Sequence, residues 1–200
     1  MMLRGLESLH ASQWCHRDFK LENVVMDDTG FLRLIDFGFA ASCTSETRFG
    51  DSWGTPSYMA PECFLGNYNG VKADVFALGV SLFYLYFLKL PFDHPQDKQR
   101  KEAFYHSTFK PKYEFFRDHN DAFWKQYKFH ADDPRREDLK ALLNCMLAEE
   151  DQRISVAGIR ETEWFKTQKE WTCSPIGIWK LTVVVACSSQ RPQQNILPAS

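Results

Sequence analysis

Hydrophobic residues recur at helical spacing at the start of the chain and at strand spacing soon afterwards. Leu3, Leu6 and Leu9 lie three residues apart, which predicts the last part of an amphipathic helix over residues 2–12. The segment NVVMDDTGFLRLIDFG then holds two short runs of β-forming residues around an Asp-Asp-Thr-Gly turn. This pattern predicts a small β-hairpin near residues 24–35.

The middle of the chain combines an aperiodic segment with a very apolar one. Residues 39–53 are small and polar, which predicts a loop, and Pro61 suits the first turn of a short helix. The stretch KADVFALGVSLFYLYFLKLPF is apolar on nearly every face, so we expect a fully buried helix over residues 74–88. Its marginal length and charged flanks argue against a membrane span.

The last part of the chain changes character near Thr167. Charged amphipathic segments extend from Gln96 to Phe165, and the clearest predicted helix among them is PRREDLKALLNCMLAEEDQRIS. The following residues show no helical period and end in a polar, Pro-rich sequence. We therefore expect one mainly α domain with small β-hairpins over residues 1–166 and an irregular tail over residues 167–200.

Composition limits the classes of partner. A hydrophobic content of 44% is enough for a core, and a formal net charge of −2 argues against nucleic acid or an anionic membrane as a partner. The six cysteines are widely spaced without a C-x-x-C pair, which indicates reduced thiols rather than disulfides or a zinc site. The N-terminal sequence MMLRGLESLH lacks an apolar signal region, and the segment IGIWKLTVVVAC is too short to span a bilayer. We therefore expect a cytoplasmic protein.

The densest group of ionisable side chains is HRDFKLEN at residues 16–23. DFG follows at residues 36–38, at the end of the second predicted strand, and APE follows at residues 60–62. In this order and spacing, H-R-D-x-x-x-x-N, D-F-G and A-P-E resemble the catalytic segment of the protein kinases. The stretches GTPSYMAPE and DVFALGV are similar to the substrate loop and the buried helix of that family. The resemblance covers about residues 1–166.

This resemblance implies ATP and Mg²⁺ as cofactors and assigns roles to the charged cluster. Phosphoryl transfer depends mainly on positioning and charge neutralisation. Asp18 would orient the substrate hydroxyl and accept its proton, and Lys20 would neutralise charge at the γ-phosphate. Asn23 and Asp36 would supply oxygen ligands to Mg²⁺, so that with Lys20 they form part of the ATP site. Val25 would lie under the adenine ring.

The substrate side resembles the serine/threonine branch of the family. The Asp-x-Lys pattern and the Gly54–Thr55 pair favour serine or threonine in protein substrates, and Thr55 would hydrogen-bond Asp18 and Lys20. Glu22 matches a position that often contacts substrate arginines. The aromatic segment YEFFRDHNDAFWKQYKF is similar to the calcium/calmodulin-dependent or energy-sensing branch.

Regulation can also be predicted from the resemblance. Arg17 immediately precedes Asp18, a pattern of kinases in which a phosphate on the activation loop holds the arginine. The usual phosphorylated residue lies three positions before Gly54, and that position is Asp51. We expect Asp51 to replace the phosphate in part and to pair with Arg17. The main alternative is phosphorylation of Ser52, and Thr44, Ser45 and Thr47 are further candidates in the same loop.

Other matched residues are expected to support the scaffold. Asp74 would be a buried carboxylate that accepts backbone N–H groups near His16 and Arg17. Glu62 and Arg153 would form an ion pair between the substrate loop and the rest of the lobe. His16 and Phe37 complete this structural group.

The chain departs from the family pattern before residue 16. The Gly-rich loop, the lysine of V-A-I-K and its partner glutamate precede H-R-D in the family, whereas only fifteen residues precede His16. We therefore expect a C-terminal lobe without the ATP-clamping N-terminal β-lobe, and negligible activity of the chain alone. Three alternatives follow: a truncated serine/threonine kinase, an inactive kinase-like binding module, or a half-enzyme completed by a partner that supplies the missing lobe or regulates it. The intact H-R-D and D-F-G favour the first.

Overall fold

The computed structural model describes residues 2–28, 30–92, 101–129 and 133–167. The helices in this part of the chain are α1 (Met2–Ala11), α2 (Pro61–Leu65), α3 (Gly70–Phe87), α4 (Lys101–Phe104), α5 (Lys110–Asp118), α6 (Asn120–Lys125), α7 (Arg136–Met146), α8 (Val156–Glu161) and α9 (Glu163–Thr167). The strands are β1 (Trp14–Cys15), β2 (Val24–Met26), β3 (Leu32–Leu34) and β4 (Ala41–Ser42). A π-helical segment, Tyr105–Phe109, joins α4 to α5. These elements confirm a mainly α fold with one small β-hairpin, formed by β2 and β3.

The prediction of an irregular tail falls almost entirely on residues that the structure does not describe. Residues 168–200, which contain the segment IGIWKLTVVVAC together with Cys173 and Cys187, lie outside the described residues.

Helix α3 is the centre of the core, and it begins earlier than the sequence pattern predicts. The side chain of Asn69 accepts the N–H of Lys72 at 3.0 Å and caps the helix, which therefore starts at Gly70. Its first four turns are largely buried, but Tyr84 and Leu85 are exposed. The prediction of burial on every face is thus wrong for Tyr84 and Leu85, although Tyr86 and Phe87 in the same turn pack against the core.

The same helix is long and apolar enough to cross a membrane when only length and composition are considered. However, 61% of its apolar window is buried inside the domain, and core helices of soluble proteins pass the same test. The helix therefore gives no more than weak evidence for a membrane span.

The predicted hairpin is present, and a second ladder accompanies it. Strands β2 and β3 pair antiparallel, with Val24 opposite Leu34. Strand β1 pairs with β4, which lies inside the segment predicted to be a loop. That prediction is corrected for Ala41–Ser42: a two-residue strand is too short to leave an alternating pattern, so only the tertiary fold reveals it.

Helix α7 ends at Met146, although the sequence pattern predicts a helix that continues to about residue 155. The chain turns back because later groups bind the carbonyls near the helix end. The guanidinium of Arg153 donates to the Ala148 carbonyl from Nε and Nη2, at 3.0 and 2.9 Å, and the Ile154 N–H donates to the Cys145 carbonyl at 3.1 Å.

The described cysteines are free thiols. Cys15, Cys43 and Cys63 are buried, and burial raises the pKa of all three. Such thiols stay neutral and react slowly. Cys145 is exposed.

Candidate functional site

The loop that follows β1 is anchored by one buried carboxylate. Asp74 in α3 accepts the backbone N–H of His16 at 2.8 Å and that of Arg17 at 2.9 Å, one with each carboxylate oxygen. The ring Nε2 of His10 donates to the same group at 2.9 Å. Arg17 has a φ of 63°, a conformation that costs energy in a residue other than glycine. The three hydrogen bonds hold this strained loop in place.

The ring of His16 fixes the neighbouring DFG segment. Its Nδ1 accepts the N–H of Asp18 at 3.3 Å, so in the neutral ring Nε2 carries the proton and donates to the Ile35 carbonyl at 3.1 Å. The ring also packs against Phe37, with centroids 5.2 Å apart. His16 and Phe37 therefore connect the loop to the end of β3.

Asp18, Lys20 and Thr55 form a closed hydrogen-bond network. Asp18 Oδ1 accepts the N–H and the hydroxyl of Thr55 at 2.8 and 2.7 Å. Lys20 Nζ donates to Asp18 Oδ2 at 2.9 Å and to the Thr55 hydroxyl at 2.7 Å. Asp18 is 6% exposed, so it lies on the wall of the site rather than in bulk solvent. The carboxylate of Asp18 and the ammonium group of Lys20 are thus held beside each other.

Asn23 contacts this network directly, and Asp36 follows a residue that is hydrogen-bonded to Asn23. The Asn23 amide nitrogen donates to the Asp18 carbonyl at 2.9 Å, and the Asn23 carbonyl accepts the N–H of Ile35 at 2.9 Å. Asp36 follows Ile35 in the chain and is exposed, and its Oδ1 accepts the N–H of Gly38 at 3.3 Å. Among the described residues no three His, Cys, Asp or Glu side chains cluster as a metal site. A carboxylate and a side-chain amide nevertheless fit Mg²⁺, which uses few protein ligands and completes its shell with phosphate oxygens and water.

A glycine allows the loop around residue 55 to lie directly on the loop that contains Arg17 and Asp18. Gly54 has a φ of 112°, and a Cβ built there would lie 2.6 Å from the Arg17 carbonyl oxygen. Any side chain would therefore push the two loops apart. The next residue, Thr55, reaches Asp18 because this close approach is possible.

The guanidinium of Arg17 holds the segment that leads to this loop. Its Nη1 donates to both carboxylate oxygens of Asp51, at 2.8 and 3.0 Å, and its Nε donates to the Phe39 carbonyl at 2.7 Å. The guanidinium also lies 4.5 Å from the centroid of the Phe49 ring. Burial lowers the pKa of Arg17, but the hydrogen bonds and charge of its partners outweigh burial and leave this pKa above its usual value. Asp51 thus occupies the partner position that the sequence predicts.

The rival residue Ser52 lies beside this pair and is exposed. Its carbonyl accepts a hydrogen bond from the Lys101 ammonium group, which no sequence pattern indicates. Trp53 stacks on Phe39, with centroids 5.3 Å apart. Ser52 is therefore exposed next to Asp51 in the chain but is not one of the hydrogen-bond partners of Arg17 given above.

The remaining predicted ligand-contact residues lie at the edges of the site. Val25 in β2 is 38% exposed, and Met26 and Ile35 beside it are 59% and 39% exposed. Glu22 is exposed and lines a cleft that also includes Thr55, Ser57 and Tyr84. We call it the substrate cleft.

A buried ion pair holds α2, which follows the loop around Thr55. Arg153 donates to the two carboxylate oxygens of Glu62 at 2.5 and 3.1 Å and to the Lys72 carbonyl at 3.0 Å. The Arg153 side chain is fully buried, and its guanidinium lies 4.9 Å from the centroid of the Phe76 ring. The pair joins α2 to the turn after α7.

Sequence reasoning missed one part of this site. His10 carries no motif of its own, yet it is the third donor to Asp74. Its position at the buried edge of α1 could have suggested a contact with the core, but the identity of the partner depends on how α1 packs against α3.

Comparisons with known proteins agree with this geometry. A family model described as the protein kinase domain matches residues 1–165. The serine/threonine-protein kinases SRK2E and SRK2A of Arabidopsis thaliana are 30% and 32% identical over 167 and 168 residues, which is 82% of this chain in each case. The serine/threonine-protein kinase SAPK5 of Oryza sativa is 33% identical over 168 residues, or 80% of the chain.

The chain spans less than half the length of these relatives. The alignments cover 42% of SRK2E, 42% of SRK2A and 41% of SAPK5.

Proposed function

The chain belongs to the protein kinase family, and we propose that it contributes the catalytic and substrate-binding lobe of a serine/threonine kinase. The reaction is transfer of the γ-phosphate of ATP to a serine or threonine hydroxyl of a protein substrate. The observation that carries this proposal is the network in which Asp18, Lys20 and Thr55 meet through four hydrogen bonds.

Each group of this network has a role in the proposed reaction. The Asp18 carboxylate orients the substrate hydroxyl and receives its proton as the phosphoryl group is transferred. The Lys20 ammonium neutralises charge that develops on the transferred group. Thr55 holds both side chains and thereby makes their positions depend on the substrate loop. Because these groups are oriented before substrate binds, little reorganisation is required during the reaction.

The cofactors proposed are ATP and Mg²⁺, and the residues present fit them. Asn23 and Asp36 would hold the ion through a side-chain carbonyl and a carboxylate. Bound Mg²⁺ would neutralise the ATP phosphates. Val25 would offer an apolar surface to the adenine ring.

The proposal can be tested by adding the Gly-rich loop and the V-A-I-K lysine, which precede H-R-D in protein kinases. Fusion of a serine/threonine-kinase small lobe, with its Gly-rich loop and V-A-I-K lysine, to Met1 is expected to produce a kinase. Transfer of ³²P from ATP to serine, threonine and tyrosine peptides measures this activity, and the small lobe alone is the control. A folded chimera that is inactive on all three peptides would instead favour a binding module.

Replacement of Asp36 by Asn in this chimera is expected to abolish the Mg²⁺-dependent part of nucleotide binding. An amide lacks the negative charge that attracts the ion, whereas its size is nearly unchanged. Titration with a fluorescent ATP analogue, with and without Mg²⁺, measures the effect. Asp28→Asn is the matched control, because Asp28 is exposed in the hairpin turn. Equal Mg²⁺ dependence in both variants would remove Asp36 from the proposed metal site.

We further propose that Asp51 partly replaces an activation-loop phosphate. Replacement by Asn is expected to lower the activity of the chimera about tenfold, since charge-assisted hydrogen bonds contribute about 1.5 kcal/mol. Ser52→Ala, which leaves the Arg17–Asp51 contact in place, is expected to have activity within about twofold of the parent. The peptide assay measures both. The opposite pattern would make Ser52 the regulatory site.

A second candidate is a half-enzyme completed by another protein. The exposed apolar side chains of Val25, Met26 and Ile35 favour it, because such surface is usually covered by another part of a protein or by a partner. Light scattering of the chain mixed with a separately purified small lobe would reveal a complex. Activity of this mixture without covalent fusion would support completion in trans.

A further inference from the structure

An apolar groove lies beyond the last turn of α3, outside the proposed phosphoryl-transfer site. It has a volume of about 710 Å³, which is in the usual range for binding pockets. The turn after α3, the start of α5 and the end of α6 form its walls. The residues that matter for its apolar character are Leu88, Leu90, Phe115 and Tyr127.

The groove exposes an apolar residue in an unfavourable conformation. Leu88 is 75% exposed and has a φ of 54°, at a helix end where glycine is usually preferred. A left-handed backbone costs a non-glycine residue about 1 kcal/mol, and an exposed leucine side chain gains nothing from burial. A binding role for the Leu88 side chain accounts for both features.

The groove is continuous with the substrate cleft. Tyr84 and Leu90 line both of them. The substrate cleft also contains Glu22 and Thr55, and the Thr55 hydroxyl donates to Asp18. An extended peptide that passes over Tyr84 and Leu90 can therefore lie in the groove and also reach Asp18 through the substrate cleft.

The positive charge in the groove indicates which kind of apolar peptide would bind there. Lys89 and Lys112 line it, whereas none of its described lining residues is a carboxylate. The positive charge of Lys89 beside an apolar surface favours a large apolar side chain that has acidic neighbours.

We propose that this groove is a docking site for protein substrates, which it recognises by an aromatic or large aliphatic anchor flanked by acidic residues. The anchor holds the substrate while a serine or threonine elsewhere in the same chain reaches Asp18. This inference rests on the proposed function and adds a class of substrate to it. Docking raises the local concentration of the hydroxyl without any change in the catalytic groups.

Segments of the chain itself fit the groove less well. The residues that follow Phe92, DHPQDKQR, contain a single apolar side chain, that of Pro95, and therefore offer no large anchor. Residues 168–200 contain three basic residues and one acidic residue, which gives a net side-chain charge of +2 that Lys89 would repel.

The test measures binding to the full chain and needs no nucleotide. A fluorescein-labelled peptide of roughly ten residues with a central Glu-Phe-Glu is titrated by fluorescence anisotropy. Replacing its Phe by Ala is expected to weaken binding about tenfold to a hundredfold, because a buried aromatic contact is lost. Lys89→Glu is expected to weaken binding about threefold to tenfold and to strengthen binding of a Lys-Phe-Lys peptide. Arg4→Glu, an exposed charge reversal on α1 outside the groove, is the control.

A second measurement shows whether the docked peptide leads to the substrate cleft. A photoreactive benzoylphenylalanine is placed several residues from the anchor, and its crosslinks are mapped by mass spectrometry. Crosslinks to Ser57 or Tyr58 in the substrate cleft would support the proposal. No binding, equal binding of the Ala peptide, crosslinks only to other surfaces, or stronger competition by a synthetic peptide of residues 176–187 would each overturn it.

The peptide-binding tests can fail or succeed independently of the kinase assay on the chimera. Neither measurement depends on phosphoryl transfer, and the chimera is assayed on serine peptides that lack the anchor. An active chimera whose parent chain fails to bind the Glu-Phe-Glu peptide would overturn the docking site alone.

Discussion

Replacement of Asp18 by Asn in the active chimera is expected to lower phosphoryl transfer to a serine peptide by about a hundredfold to ten-thousandfold. The amide keeps the size of the carboxylate but cannot accept a proton from the substrate hydroxyl. It also removes the charge that faces the Lys20 ammonium at 2.9 Å. The rate of ³²P transfer at saturating ATP measures the loss, and we expect it mainly in kcat, since the role proposed for Asp18 is in the transition state.

Two controls separate this chemical effect from a change in folding. Asp28→Asn makes the same substitution in the exposed hairpin turn and is expected to leave activity within about twofold of the parent. Thermal unfolding of the Asp18→Asn chimera shows whether the network with Thr55 is retained. A stable variant that keeps more than roughly one tenth of the parent rate would contradict the role of Asp18 as the proton acceptor.

The largest effect on stability is expected from Glu62→Gln, which is predicted to lower the free energy of unfolding by about 3–5 kcal/mol. The substitution leaves the Arg153 guanidinium fully buried without a compensating charge. Its hydrogen bonds to the carbonyls of Lys72 and Ala148 remain, so the lower end of this range is expected. Urea denaturation of the full chain, followed by circular dichroism, measures the difference.

Glu161→Gln is the matched control because Glu161 is 79% exposed and lies 3.7 Å from Lys166. An exposed pair of this kind contributes at most about 1 kcal/mol. The double replacement Glu62→Gln with Arg153→Met should recover part of the lost stability, since it removes the buried charge as well. A Glu62→Gln effect no larger than that of Glu161→Gln would show that the ion pair does not stabilise the lobe.

Local patterns predicted most of the elements that surround the site. The spacing of leucines located α1, and the two β-forming runs around their turn located β2 and β3, because each signal lies within a few consecutive residues. Element ends were less predictable. The sequence pattern placed the end of α7 too late, because Arg153 binds the Ala148 carbonyl in a turn that hydrophobic periodicity does not encode.

By itself the sequence determined which chemical groups this protein has and their order along the chain. The H-R-D, D-F-G and A-P-E motifs identified the family, and their residue types indicated a carboxylate, an ammonium group and oxygen ligands for phosphoryl transfer. These inferences were possible because each motif is short and its spacing along the chain reflects a local backbone shape.

Only the tertiary structure decided which of these groups meet. His10 and the backbone of His16 share Asp74 although 64 and 58 residues separate them from it, and Leu90 joins the apolar groove to the substrate cleft. Such contacts depend on how α1, α3 and the loops pack around one core. Hydrophobic periodicity specifies which face of an element is buried, but it does not specify the partner, so the polar contacts at these faces appear only in the folded chain.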